Sequence, residues 1–516
     1  MVSEARSRSA GERVAPVLTV VLAVAAAFNA IDALPVGVFY DDALYAILGK
    51  AIASGEGYRY LNIPGKPPAT HYPPGYPLLL ALLWRISPDF PANVALFKSV
   101  NAGLVGVVAY FTYRFARVRL GSAAWLAAVA AIIATAGIPL LVLSSAVMSE
   151  VFFLALLVPW LLVAERSVHG AGVRRATWLA MSGALLFYVR AHAIVVAPAL
   201  ALGYLLARNR RDAMIAIAAG IVAALPWFVW VAAHDAAIPA PLRGAYASYG
   251  AWLADGVRRN GAGILASSVR DNVETIVAIL SRSFAVSQQQ PFTFIAVLAV
   301  IVLAAAGCVS LYARARVTVL FVALYFAAVL VWPFSPLRFV WGVWPLVVLL
   351  LLAGIQALFA QPSNGWGGVI RWAGIAATGI VLLGTLLFNV RGYANAWWTT
   401  VSRAVTPRIQ PQLEWVAART DSDDVVAADD EGAVFLYTGR HAVPANVFTA
   451  TQYFARRSSA EDADNLRAIL VQLNPRYLLA WTNPSIGAAE LLTRARIPAL
   501  VRHDTIPGGR VYRVIR

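Results

Sequence analysis

The chain has one cysteine, Cys308, in 516 residues. That excludes an intramolecular disulfide and any zinc site built on cysteines. Charge is also scarce: 13% of residues are Asp, Glu, Lys or Arg, where a soluble chain carries about 25%, and 60% are hydrophobic. Acidic residues are the rarer sign, 26 against 42 basic, for a net charge of +16. Lysine is nearly absent: Lys50, Lys66 and Lys98 are three and the other basic residues are arginines. The basic excess does not form a nucleic-acid surface, because it is dispersed as short groups between apolar runs. No HExxH, P-loop, GxSxG or dinucleotide fingerprint occurs, so nucleotide-dependent chemistry has no sequence support.

What the chain has in quantity is apolar runs of membrane-spanning character. Eleven are recognisable, from Val14–Val36 through Ala123–Val142 and Phe339–Phe359 to Ile370–Phe388. "AAFNA" near the first run has the small residues of a leader cleavage site, but the run continues towards Phe39, as a span would. With the start of the chain (Arg6, Arg8, Arg13) inside, every inside connection is basic: Arg114/Arg117/Arg119, Arg166/Arg174/Arg175, Arg208/Arg210/Arg211, Arg314/Arg316 and Arg371. Counting "YPPGYPLLLALLWRI" (72–86) as a span would invert every later loop, so it reads as an interfacial or re-entrant helix on the outer face. The outer loops are then 40–93 and 232–291, the second with a stretch suited to lie amphipathically in the headgroups. An odd number of spans leaves the C-terminus outside. These readings predict a polytopic α-helical membrane protein of a cytoplasmic membrane, with residues 1–390 as the membrane domain. From 391 to 516 the composition changes to alternating strands and helices, a small extracytoplasmic α/β domain.

The rare carboxylates are the candidates for chemistry. Asp41 and Asp42 open a short amphipathic helix directly after the first span. One Asp there is an ordinary helix cap; a pair exceeds what a cap needs. Glu150, in "SEVFFLALL", stands at the start of a span, where it is either a helix-start residue at the headgroups or a functional carboxylate. Arg338, in "SPLRFVWGVWPL", is a basic residue at the outer end of a span, against the charge rule. It reads as a bidentate phosphate ligand or as a snorkelling side chain. Arg190 and His192, in "YVRAHA", form another outer group facing an anionic headgroup or merely ending helices. His71, in "THYPPGYP", lies in a loop expected to be exposed. All of these gather on one face, and carboxylate with arginine there suits a general base facing a phosphate leaving group.

The order "YDDALYA", "HYPPGYPLLLALLW", "SEVFFLALL", "SPLRFVWGVWPLVVLLLLAG" resembles the GT-C glycosyltransferases that use polyprenyl-phosphate sugars. The branch it resembles comprises the bacterial relatives of protein O-mannosyltransferases and of the lipid A aminoarabinose transferase. The resemblance spans the membrane part. It implies an inverting transfer of a sugar from a polyprenyl-phosphate donor to a hydroxyl acceptor of the cell envelope, with Asp41 as catalytic base. Asp42 stands where the family more often has Glu, and is implied as an auxiliary acid. Glu150 is implied on the acceptor side or at a metal. Arg338 is implied at the donor phosphate, with Arg190, His192 and His71 as further candidates. No cofactor is required; a divalent cation, magnesium or manganese, held by Asp42 and Glu150 is left open. His71-Tyr72 replaces an acid–lysine pair of the aminoarabinose branch, so the resemblance does not carry that branch's donor over to this chain. Two other classes stay open: a secondary transporter or lipid flippase, and a non-catalytic polyprenyl-lipid-binding relative. No nucleic-acid partner is expected.

Overall fold

A computed structural model describes residues 10–32, 35–168, 172–447, 457–495 and 499–515. Arg6 and Arg8 of the basic start, Phe448 at the end of one strand reading and the final Arg516 lie outside the described residues. The chain begins with α1 (Ala10–Asn29), α2 (Asp41–Ala53), α3 (Gly75–Ile86), α4 (Val94–Arg119), α5 (Ala124–Thr135), α6 (Ile138–Ser145), α7 (Glu150–Glu165) and α8 (Gly172–Val189). It continues with α9 (Val196–Leu206), α10 (Arg210–His234), α11 (Arg243–Tyr246), α12 (Tyr249–Asn260), α13 (Gly263–Phe284), α14 (Phe292–Tyr312) and α15 (Arg316–Val331). Then come α16 (Leu337–Trp341), α17 (Trp344–Phe359), α18 (Gly365–Ala394) and α19 (Thr400–Arg419). Each of the eleven apolar runs has a helix within it, although α1 ends at Asn29, short of the Val36 at which the first run ends. Among the described residues, α1, α4, α10, α14 and α18 are each long and apolar enough to cross a bilayer, and α5 and α6, bent by 48° to one another, are apolar enough together for a broken span or a re-entrant loop. Their outward sides are apolar: Leu298, Ile301 and Val309 of α14 and Leu382, Leu383 and Leu386 of α18 are exposed, which suits lipid rather than water. The protein is a multi-pass membrane protein, mostly helical.

Two apolar runs are interrupted where the sequence predicts continuous spans. In Ala123–Val142 the break falls at Gly137, before Pro139 in the first turn of α6, a position where proline loses no helical hydrogen bond. The restarted helix is capped from afar: the Ile138 amide donates to Asn389 Oδ1 at 2.9 Å. In Phe339–Phe359 the break falls at Gly342-Val343, and Pro345 sits in the first turn of α17. Arg338 is thereby carried on the short α16, separated by the break from the span that follows.

The C-terminal unit adds β1 (Val425–Ala428), α20 (Glu431–Thr438), β2 (His441–Pro444), α21 (Ser459–Leu473), β3 (Tyr477–Ala480), α22 (Asn483–Thr493), β4 (Ala499–Ile506) and β5 (Gly509–Ile515). The sheet order is β2-β1-β3-β5-β4. β1 pairs in parallel with β2 and β3, whereas β5 pairs antiparallel with β3 (Leu478 opposite Tyr512) and with β4. The helix α21 starts with a capping box, Ser458 and Glu461. β4, in "ALVRHDTI", is absent from the sequence reading because its charged residues interrupt the apolar alternation of an interior strand.

Two cores organise the molecule. One lies within the helical bundle. The other joins α2 and α3 to the sheet: Leu44, Ile47 and Leu80 belong to the same apolar cluster as Val426, Val434 and Leu479. The C-terminal unit is therefore packed onto the first long loop. α3 lies against α2 and leaves Leu78, Leu82 and Ile86 exposed, one apolar stripe at helical spacing, as an interfacial helix would.

The helices α14 and α17 cross backbone to backbone. A Cβ on Gly307 would overlap the Leu350 carbonyl, and one on Gly354 would overlap that of Leu303. Such small-residue contacts let membrane helices approach backbone to backbone. Gly354→Ala should force the pair apart at a cost of about 1–3 kcal/mol, read as a lowered unfolding midpoint in detergent; an unchanged midpoint refutes the contact.

Candidate active site

Asp41 is the first residue of α2 and Glu150 the first of α7. Arg338 stands one turn before the break between α16 and α17. These three helix ends converge. Arg338 Nη1 donates to Asp41 Oδ2 at 2.8 Å, and Nε and Nη2 donate to Glu150 Oε1 at 3.1 and 2.9 Å. Arg190, at the end of α8, adds Nη1 to Glu150 Oε1 at 2.9 Å and to Ser149 Oγ at 3.1 Å. Glu150 is wholly buried, while the Asp41 side chain keeps 24% and that of Arg338 33% of their exposure. Two acids and two arginines thus form one charge-balanced cluster whose open side is at Asp41 and Arg338. Gly342 is required beside it: a Cβ there would stand 3.0 Å from the Arg338 carbonyl and 3.4 Å from Glu150 Cγ. Arg338 is consequently not a snorkelling side chain, since its guanidinium is spent on two carboxylates.

The remaining sequence candidates divide. Asp42 does not face the cluster. Its carboxylate turns back to the segment before α2 and accepts from the Gly37, Phe39 and Ala43 amides at 2.8, 3.1 and 3.0 Å. It is neither a conventional cap nor an auxiliary acid, because every bond it makes holds the backbone that leads into α2. His71 is buried rather than exposed, as residues of the 232–291 loop close over it: its Nδ1 lies 2.6 Å from the Ala247 carbonyl, and its ring packs on Tyr72 and Tyr249. Burial pushes its pKa down, which removes it as a phosphate-binding cation. His192 neighbours Arg190 in sequence, but its ring is boxed by Tyr325, Trp332 and Phe339 and it makes no bond to the acids.

Sequence reasoning missed Tyr72. Its hydroxyl donates to Asp41 Oδ1 at 2.7 Å, so both Asp41 oxygens are engaged. The quoted "HYPPGYP" contains it, and a tyrosine stiffened by two following prolines was the available signal. Tyr45 was missed as well; its hydroxyl pairs with Ser149 Oγ at 3.3 Å.

The acids do not fit a metal. Glu150 is held by two cations, and Asp42 is occupied by backbone amides. Among the described residues no group of three or more His, Cys, Asp or Glu converges as a metal site would. Asp42 and Glu150 are therefore not brought together as a shared cation site; Glu150 Oε2 is buried without a hydrogen-bond partner.

Beside the cluster is a cavity of about 540 Å³ whose lining includes Phe39, Leu143, Met148, Leu337, Trp341 and Phe388. The charged residues in its wall are Arg338 and Arg282. An apolar channel with a guanidinium at one side has the shape of a site for a lipid chain ending in an anion.

No protein-family model matches the chain, and no curated protein matches it. Solved structures do match. The chain is similar to ArnT from Cupriavidus metallidurans in the apo state, with a TM-score of 0.52, and to the same protein bound to undecaprenyl phosphate, with a TM-score of 0.50. Each alignment is 12% identical and covers 96% of this chain and 97% of that chain. At this identity the likeness establishes the fold: a polytopic helical membrane protein with a small C-terminal α/β unit, the architecture that the sequence resemblance implies.

Asp42 supplies a test of its anchoring role. Burial pushes its pKa up to about 6, against the pull of the three amides. Its unfolded value is about 4. Because the folded value is the higher, protonated Asp42 contributes its full stability below pH 4, and that contribution is lost as the pH rises through about 6. Asp42→Asn cannot titrate. The stability of the wild type relative to Asp42→Asn should fall between those values and level off above them; a difference independent of pH would refute the buried, titrating carboxylate.

Proposed function

We propose that the protein is an inverting glycosyltransferase that moves a sugar from a polyprenyl phosphate to a hydroxyl acceptor of the cell envelope. The observation that carries this reading is that Arg338 lines the apolar cavity and at the same time binds Asp41 at 2.8 Å. The lipid chain occupies the cavity and its phosphate meets Arg338. Asp41 takes the proton of the acceptor hydroxyl, whose oxygen attacks C1 of the sugar from the side opposite the phosphate. The C1–O bond breaks, its electron pair stays on the phosphate oxygen, and Arg338 stabilises the charge that develops there. Arg190 has its charge committed to Glu150 and acts by holding that carboxylate against Arg338. The similarity to a fold solved with undecaprenyl phosphate supports a lipid of that class.

A transporter or flippase would place its charges near mid-membrane, within repeated halves of the chain. Here Asp41 and Glu150 each open a helix, and Arg338 sits on a short helix before α17. That arrangement favours the enzyme.

General-base assistance is worth about 10²–10⁴-fold. Asp41→Asn should lose transfer by that factor, in liposomes containing the host's own lipid-linked sugars, while still copurifying with polyprenyl phosphate. Arg338→Lys should lose the copurified lipid. Mass spectrometry of the lipid identifies it and its sugar; wild-type turnover by Asp41→Asn refutes the assignment.

We infer that the cluster and the C-terminal unit face the extracytoplasmic side and that the chain starts in the cytoplasm, from the arginine distribution. Ser422 is exposed. In a Cys308→Ala background, Ser422→Cys should react with a membrane-impermeant maleimide in intact cells or spheroplasts. Labelling only after lysis reverses the orientation.

A further inference from the structure

Glu431 opens α20 in the C-terminal unit and is wholly buried. Its Oε1 accepts two phenol hydroxyls, from Tyr40 at 2.9 Å and from Tyr246 at 2.6 Å. Neither partner belongs to its own unit. Tyr40 immediately precedes Asp41, and Tyr246 lies in the second long loop.

The Tyr40 backbone is the unusual feature. Its φ of 65° and ψ of −63°, with the Asp41 amide donating to the Phe39 carbonyl at 2.8 Å, describe a γ-turn of the rare, strained kind. A bulky residue adopts such a positive φ only where its surroundings enforce it. The turn determines the direction in which the chain enters α2, and so where Asp41 points. Two sets of contacts enforce it. Asp42 ties down Gly37 and Phe39, and α20 presses on both sides of the turn. A Cβ on Gly432 would stand 2.8 Å from Ala43 Cβ, and one on Gly37 would stand 2.7 Å from Ala433 Cβ. Glu431 adds the bond that pins the tyrosine itself.

Tyr246 extends the link to the opposite wall. It also accepts from Asn62 Nδ2 at 2.9 Å, and three residues later Tyr249 packs on His71, next to the tyrosine that binds Asp41. One carboxylate of the C-terminal unit thus gathers the segment before Asp41, the 55–74 segment and the second loop.

We propose that Glu431 is a positioning residue for Asp41: through Tyr40 it holds the strained turn that aims Asp41 at Arg338, so the C-terminal unit completes the site. This rests on Asp41 being the base. Glu431 touches no reacting atom.

The test uses the full-length protein in nanodiscs, with Glu431→Ala, Glu431→Gln and Tyr40→Phe. Asp504→Asn is the control; it removes the charge from the group that accepts the Trp415 Nε1 hydrogen bond elsewhere in the same unit. Hydrogen–deuterium exchange is followed in peptides covering 37–48 and in β3. Glu431→Ala and Tyr40→Phe should raise exchange at 37–48 by about tenfold or more, the factor for one charge-assisted hydrogen bond, and leave β3 unchanged. Glu431→Gln keeps an acceptor oxygen and should retain most of the protection, and Asp504→Asn should leave 37–48 as in the wild type. With lipid-linked sugars extracted from the host membrane as donor, Tyr40→Phe should lower kcat by about tenfold and leave KM within about threefold. Unaltered exchange at 37–48 in both Glu431→Ala and Tyr40→Phe overturns the proposal. So does exchange raised equally in β3, or an equal effect of Asp504→Asn, since either marks a general loss of stability. If the wild type transfers no sugar while the exchange pattern holds, the anchoring is supported and only the base assignment falls. If the wild type transfers sugar and Tyr40→Phe matches it in both exchange and turnover, the positioning fails and the base assignment stands.

Discussion

The structure is arranged around one guanidinium shared between two carboxylates. Arg338 spends Nη1 on Asp41 and Nε and Nη2 on Glu150, and Glu150 lies where no water reaches it. A carboxylate so placed is costly unless it is paired, and breaking a buried pair by removing one partner costs about 3–5 kcal/mol. Two arginines offset that cost at Glu150. Three helix starts or breaks must then meet at one place, and much of the bundle geometry serves that meeting. Gly342 lets α16 approach Glu150, the prolines at 139 and 345 stand in the first turns of the restarted helices, and Ser149 accepts Arg190.

The helices and the grouping of charges were legible in the sequence, for a physical reason. Apolar runs must be helical in a bilayer because no water satisfies an open backbone, so composition alone specifies the element. The distribution of arginines then sorts the run ends into two faces, and that sorting placed Asp41, Glu150, Arg190 and Arg338 together. Position beyond the face was not legible. His71 looked exposed because its cover, the Ala247 carbonyl, comes from a loop 176 residues away. Asp42 read as a cap or an auxiliary acid beside Asp41 because the two are adjacent. Adjacent residues on a helix point about 100° apart, and here one meets Arg338 while the other grips the preceding turn.

The C-terminal unit shows the same limit more strongly. Four of its strands, its short helix and its capped helix follow from local pattern, so its internal fold was readable except for α22 and β4. Its attachment was not. The bond from Tyr40 to Glu431 spans 391 residues of sequence, and only the packing of α20 on α2 reveals it. A unit that looked like an appended domain shares a core with α2 and α3.

Charge balance connects the resting cluster to the proposed reaction. At rest the cluster carries two negative and two positive charges. A lipid-linked sugar is a phosphodiester with one negative charge, and cleavage at C1 leaves a monoester that carries nearly two at neutral pH. The additional charge appears on the phosphate as the acceptor proton reaches Asp41. Asp41 therefore loses its charge in the same step in which the phosphate gains one. Arg338 begins that step bound to Asp41 and ends it free to bind phosphate with Nη1. The guanidinium does not have to be desolvated or moved far, because the negative charge it faces passes from one partner to the other. A lysine in its place would offer a point charge without the planar fork that lets one side chain hold Glu150 with one edge and exchange partners at the other. The pairing of Arg338 with Asp41 at 2.8 Å is thus a working part of the proposed site: it keeps the base charged and aimed until the phosphate can take its place.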